Sequence, residues 1–161
     1  MKYLIALLIF GFNLHCGCQY MSFGTSTSIS SVSSCQNATD CYRITANVSG
    51  QAGSVWSTKT VDLTKPFVGE FCVYLGNANT SITCFNDLED NGADGIVIAF
   101  KSPTAANTGI PGSGLGISGI SPSIGIELDT YPSGIAFGDA ISTDHTALVI
   151  NGLVASPVVT A

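Results

Sequence analysis

An all-β fold is what this 161-residue sequence predicts, and three observations carry the prediction. Only 10% of residues are charged while 45% are apolar, and 18 are glycine. Ser, Thr, Val and Ile dominate the rest, which suits short strands joined by tight turns. Ile124-Gly-Ile-Glu-Leu-Asp-Thr130 alternates residue by residue, the period of a strand whose two faces differ. Past the N-terminal apolar run, no helix-period spacing is sustained between capping residues. The length fits one domain with a core of its own.

Met1-Lys2 and the apolar run Tyr3 to Phe10 join a basic start to a stretch far below the roughly 20 residues of a membrane span. Residues 1–18 therefore read as a cleaved signal peptide and the product as secreted, with no transmembrane segment after the leader. A buried N-terminal strand is the alternative, against which the run lacks alternation. Leu14-His-Cys-Gly-Cys18 has a faint lipobox likeness that would anchor the protein by lipid at Cys18, but His15 and Cys16 fit that pattern poorly. The mature chain keeps Cys35, Cys41, Cys72 and Cys84, an even number that predicts disulfides with three connectivities open. Sequence proximity favours Cys35 with Cys41 and Cys72 with Cys84. A zinc site is the weaker reading, because no pair has C-x2-C spacing and no His lies near. Asn37, Asn47 and Asn79 head glycosylation sequons that matter only in a eukaryotic host.

Residues 19–40, rich in Ser and Thr, read as a linker or a first edge strand, and the domain proper as 41–161. Tyr42 to Val48, a turn at Gly50 to Gly53, and Ser54 to Ser57 predict a hairpin. Val61-Asp-Leu63, Phe67 and Glu70 to Leu75 continue the strands, with a bend at Lys65-Pro66. Asp87 to Asp94 is an acidic loop leading into Gly95 to Phe100, an apolar run that reads as a strand covered on both faces. Residues 102–119 hold Gly109, Gly112, Gly114, Gly116 and Gly119 and predict a loop whose backbone can approach a ligand. Ile124 to Thr130 is the next strand, Tyr131 to Asp144 a loop, and Thr146 to Asn151 the last strand.

The net charge is -6, and no Lys or Arg follows Lys101, whereas Glu127, Asp129, Asp139 and Asp144 all do. Such a surface repels a polyanion, which excludes nucleic acid as a partner and favours cations. Glu127 and Asp129 stand two apart on a strand, so both point to one face, roughly 7 Å apart. Buried without a counter-charge, one of them would take up a proton. Asp139 and His145 follow, giving three carboxylates and an imidazole within 19 residues, the donor set of a cation cage. Carboxylate and carbonyl oxygens suit calcium, and the imidazole suits a transition ion such as manganese. The plain alternative is a solvated acidic loop with a structural His.

Ile126-Glu-Leu-Asp-Thr-Tyr-Pro132, with Asp139 and Asp144-His145 after it, resembles the metal-binding strand and loop of legume lectins and their L-type relatives. Gly92-Ala-Asp-Gly-Ile96 is similar to the family's Ala-Asp-Gly motif and Gly112-Ser-Gly-Leu-Gly116 to its Gly-rich loop. Gly53-Ser-Val-Trp56 and Val61-Asp-Leu63 resemble its early strands, in the same order, so that the similarity spans roughly residues 41–151. The resemblance implies a concanavalin A-like jelly-roll β-sandwich. Family domains continue for several strands beyond the position of Asn151, so it also implies an incomplete sandwich that leaves Ile96, Ile98 and Ile126 short of cover.

Carried over by residue, Glu127, Asp129, Asp139 and His145 would hold the transition ion, and Asp129, the Tyr131 carbonyl, Asp139 and position 133 would hold calcium. The family has Asn where Ser133 stands, and the shorter hydroxyl lacks the amide donor and the reach, which puts calcium and sugar affinity in doubt. Asp94 would accept from two sugar hydroxyls, and the backbone of Gly112, Ser113 and Gly114 would donate, with Ser133 beside them. Read without the family, Asp94 is an Asp-Gly turn and Gly112 to Gly116 a flexible loop. Trp56 reads as core in preference to a sugar platform.

The function implied is a non-enzymatic, secreted carbohydrate-binding domain whose partner is a glycan or glycoprotein, with room for a homo-oligomer. A structural or adhesive surface module of the same fold is the alternative. A glycoside hydrolase on a similar sandwich is disfavoured, since it needs a second acid about 5 Å from the first. Tyr131 and Pro132 occupy the positions where that acid would follow, and no Glu comes after Glu127.

Overall fold

The computed structural model describes residues 7–10, 20–29, 40–46, 48–75, 93–131, 133–134, 141, 143–154 and 159–160. Among them, ten strands form three antiparallel sheets: β1 (Leu7–Phe10), β2 (Tyr20–Gly24), β3 (Thr27–Ile29), β4 (Asp40–Arg43), β5 (Gly53–Ser57), β6 (Phe71–Tyr74), β7 (Gly95–Lys101), β8 (Ser123–Asp129), β9 (His145–Ile150) and β10 (Val159–Thr160). The sheet orders are β3-β4-β1-β6, β10-β9-β8-β7 and β2-β5. Among the described residues, the one helical element is a 3-10 turn at Gly112–Gly114.

The β7 run is covered on both faces, as its unbroken apolar sequence predicts. On one face Ile96, Ile98 and Leu128 pack against Tyr42, Ile44, Val55, Phe71 and Val73. On the other, Val97, Ala99 and Val149 pack beneath Ile117, Ile120, Leu115 and Trp56, so the Gly-rich segment roofs the sheet. Cover on the first face stops short: Ile96 is 6% exposed, whereas Ile126 is 50% exposed and Ile124 and Ile150 are also open. The shortage of cover expected at Ile126 is present, and that expected at Ile96 is not, because β4 and β6 lie over the β7 side of the sheet.

Several expected elements are built differently. The hairpin joining Tyr42–Val48 to Ser54–Ser57 does not form. β4 ends at Arg43 and pairs with β1 and β3, while β5 pairs with β2. The Ser/Thr-rich lead-in supplies the reason. The Ser26 hydroxyl donates to the Ser54 carbonyl at 2.6 Å, Thr25 N donates to Ala52 O at 3.0 Å, and Thr25 Oγ1 to Ile44 O at 3.0 Å. This corner places the Ile44 carbonyl against the open side of Gly53, where no ladder can run. Val61–Leu63 is a turn instead of a strand: Asp62 Oδ1 accepts from Thr64 N at 3.0 Å and Thr64 Oγ1 at 2.6 Å, and Lys65 N donates back to Asp62 O at 3.1 Å.

Within the segment read as a leader, Leu7–Phe10 is a strand seated between β4 and β6 and antiparallel to both. The expected Cys35–Cys41 pairing gives way to a free Cys41, 4% exposed in mid-ladder opposite Ile9 and Ile29. Cys72 is disulfide-bonded, with its partner outside the described residues, where Cys84 also lies. The sequon asparagines Asn37, Asn47 and Asn79 lie outside them too.

Candidate functional site

Antiparallel register gathers the candidate residues at one end of the β7-β8-β9 sheet. Gly95 pairs with Asp129, and Asp129 with His145, so the start of β7, the end of β8 and the start of β9 share one edge. The Thr130 amide donates to the Asp94 carbonyl at 3.0 Å, which ties the loop after β8 to the residue before β7.

On the roofed face of β8, Glu127 and Asp129 are both buried, as the two-residue spacing requires. Glu127 is 1% exposed, and its Oε1 stands 3.3 Å from Nε2 of His145. The other imidazole nitrogen, Nδ1, lies 3.1 Å from the Thr143 carbonyl, which fixes the ring's orientation so that Nε2 faces the carboxylate. Asp129 turns to its own loop, its Oδ1 accepting from the Tyr131 amide at 2.9 Å. A cleft of about 350 Å³ opens beside this edge, lined by Leu75, Leu128, Asp129, Thr130, Asp144, His145 and Thr146.

Of the four residues expected to form a cage, Glu127, Asp129 and His145 are described and stand near one sheet edge, and Asp139 lies outside the described residues. Among the described residues, no group of three or more His, Cys, Asp and Glu side chains is set to hold a metal ion. Glu127 and His145 meet, the Asp129 carboxylate serves the Tyr131 amide, and Asp139 lies outside the described residues. What is present fits a transition ion in kind: a buried carboxylate and an imidazole whose second nitrogen is held by a carbonyl. Ser133 is half-buried in the loop beyond Tyr131.

Burial raises the Asp94 carboxyl above the ordinary aspartate range. Gly95 follows it at φ +143, and a Cβ there would collide with the Leu128 carbonyl and stand 3.0 Å from Asp129 Cα and 3.1 Å from Leu115 Cδ2. Glycine is thus required by the close approach of β8 and of the Gly-rich loop. The same contact brings that loop beside Asp94.

The loop is internally bonded, in contrast to a flexible glycine run. Gly109 N donates to Gly116 O at 2.8 Å, Ile110 N to Ser118 O at 3.0 Å, Gly116 N to Ile110 O at 2.9 Å and Leu115 N to Gly112 O at 2.8 Å. Trp56 is partly buried and packed against the cluster of Ile117, Ile120 and Val149. Its Nε1 donates to the Asn107 carbonyl at 2.7 Å, the carbonyl that also accepts from the Ser54 hydroxyl, and the Lys101 ammonium lies 5.1 Å from the ring centroid. Lys101 in turn donates to Ala105 O at 3.1 Å. Reading by motif missed Leu115 and Thr130, which join Asp94 to its neighbours; Leu115 at φ 50 was visible only as one apolar residue among glycines.

A family model described as the legume lectin beta-barrel domain matches residues 18–155. The pesticidal crystal protein Cry22Aa of Bacillus thuringiensis is 34% identical over 93 residues, 58% of this chain and 11% of that protein. A serine-rich adhesin for platelets of Staphylococcus aureus strain MRSA252 is 32% identical over 94 residues, 58% of this chain and 6% of the adhesin. The chain therefore spans a small part of the relatives it matches. No solved structure matches. With a nearly all-β antiparallel architecture and a family match over most of its length, the chain belongs to the legume lectin β-barrel, or L-type lectin, domain family.

Proposed function

We propose that this chain is a glycan-binding domain without catalytic activity. The observation that carries the reading is the meeting of Asp94, the Asp129–Tyr131 corner and the self-bonded Gly112–Gly116 loop at one sheet edge. Asp94 would accept hydrogen bonds from neighbouring sugar hydroxyls. The Gly112 and Ser113 amides would donate to the sugar. Ser133 would border them.

Calcium and a transition ion such as manganese would cross-link the loop after β8 and so fix the sugar-facing groups. Glu127 and His145 are the residues suited to the transition ion, and Asp129, Asp139, the Tyr131 carbonyl and Ser133 those suited to calcium. Hydrolysis has no support in the donor set, since Tyr131 and Pro132 stand where a second acid would follow Asp129 by two or three residues. Export from the cell, with a glycan or glycoprotein as the external partner, is the companion reading. The N-terminal mass of secreted material tests it, because cleavage after residue 18 would remove β1.

A glycan array probed with and without chelator, followed by calorimetry of wild type and Asp94→Ala on the best glycan, tests the main reading. Chelator-sensitive binding that is lost in Asp94→Ala is the expected result. Equal binding by both proteins, or none by either, favours an adhesive surface module of the same fold. Ser133 and the likeness to a platelet adhesin are what speak for that second reading.

A further inference from the structure

We infer that Gly152, at the far end of β9, is a positioning residue that sets the height of the Gly112–Gly116 loop over the site. This inference rests on the glycan-binding reading. Gly152 is buried at φ +67, and a Cβ there would collide with the Ile117 carbonyl and stand 3.0 Å from Gly119 N and 3.2 Å from Ile120 N. All three are backbone atoms, which cannot swing aside as a side chain would.

The seat is built by neighbouring contacts. Asn151, at φ 55, donates its amide to Ser123 O at 2.7 Å, and its Oδ1 accepts from Ser123 N at 3.2 Å. The Ser123 hydroxyl donates to Ile120 O at 2.6 Å. Ser123 thereby clamps the turn after β9 to the descending limb of the loop. Ile117 and Ile120 are buried on Val149 just above.

The loop cannot absorb a displacement at this seat locally. Ile117 N and Ser118 N both donate to Gly114 O, at 3.0 and 2.9 Å, and Ile110 N reaches Ser118 O. A push on Ile117 is therefore carried to Gly112 and Ser113. Leu115, on the same body, lies against Gly95 beside Asp94. The loop is wedged between two glycines, one at each end of the sheet, and Gly152 determines how it meets Asp94.

The test compares Gly152→Ala with Gly50→Ala in the full chain. Gly50 has a like φ of +70 and nothing within 4 Å of its Cβ position, so it carries the same backbone strain without the push. Ser123→Ala is a milder second variant, should Gly152→Ala fail to fold. Calorimetry on the best array glycan should give affinity lower by about tenfold in Gly152→Ala, the equivalent of one charge-assisted hydrogen bond lost, with a smaller loss in Ser123→Ala and none in Gly50→Ala. The rise in melting temperature with manganese should be the same in all four proteins. Amide hydrogen exchange across residues 109–118 should quicken in Gly152→Ala and Ser123→Ala alone. Wild-type affinity and wild-type exchange in both variants would overturn the inference. If wild type binds no glycan, the glycan-binding reading fails by itself, and the exchange data still decide whether Gly152 holds the loop.

Discussion

Glu127 and His145 meet diagonally across β8 and β9: Oε1 and Nε2 are 3.3 Å apart, with side chains 1% and 6% exposed, while the direct partners of the two residues are Ala147 and Asp129. Taking one member from a buried pair strands the other. Glu127→Ala should therefore lower stability by about 3–5 kcal/mol, with Glu127→Gln milder because it keeps the volume and an acceptor. If the pair receives a transition ion, both variants should also lose the rise in melting temperature that manganese gives wild type. Thermal melts with manganese and with EDTA check both statements, and an EDTA-insensitive wild type would reject the metal role.

Asp94 links stability and recognition in opposite senses. Burial raises its folded-state pKa above the ordinary 3.8, so the fold prefers the protonated carboxyl. Its contribution to stability is fully present below 3.8 and is lost as pH climbs through the raised value. Asp94→Asn should accordingly melt higher than wild type at neutral pH and match it at low pH. Glycan affinity of wild type should fall on acidification earlier than for an ordinary aspartate. Asp94→Ala should cost about 1.5 to 3 kcal/mol of binding, roughly 10- to 150-fold. Melts and calorimetry at several pH values would contradict this account if Asp94→Asn were the less stable protein at neutral pH.

Ser133→Asn should strengthen glycan binding and the calcium-induced rise in melting temperature if the shorter side chain is what weakens the loop. Asn adds an amide donor and one carbon of reach. Unchanged values for both would assign the role to another residue of the loop.

Trp56→Phe should cost about 1 kcal/mol, the net worth of its bond to the Asn107 carbonyl, and leave glycan affinity as it was. Denaturant unfolding gives the first number and calorimetry the second. A large loss of affinity would make Trp56 part of the sugar surface.

The sequence by itself determined the β class, the strands read at 95–100 and 124–130 and formed at 95–101 and 123–129, the shared face of Glu127 and Asp129, and the family. These are local properties: alternation, an unbroken apolar run, and side chains two apart on a strand point the same way whatever surrounds them. Tertiary structure decided the pairings. Tyr42 to Ser57 looks like a hairpin because its two apolar runs flank a glycine turn, yet hydroxyls of Thr25 and Ser26, some 20 to 30 positions away, draw the strands into different sheets. Cys41 has a close cysteine in sequence and still stands free in mid-ladder. The contacts of the acidic and imidazole groups were likewise a tertiary matter: Asp129 accepts from the Tyr131 amide, and Glu127 meets His145 across the ladder. The glycines are the clearest case. Which of them is merely a turn, and which, like Gly95 and Gly152, has another backbone pressed against its missing side chain, depends on segments distant in the chain and becomes visible only when the sheet and its roof are packed together.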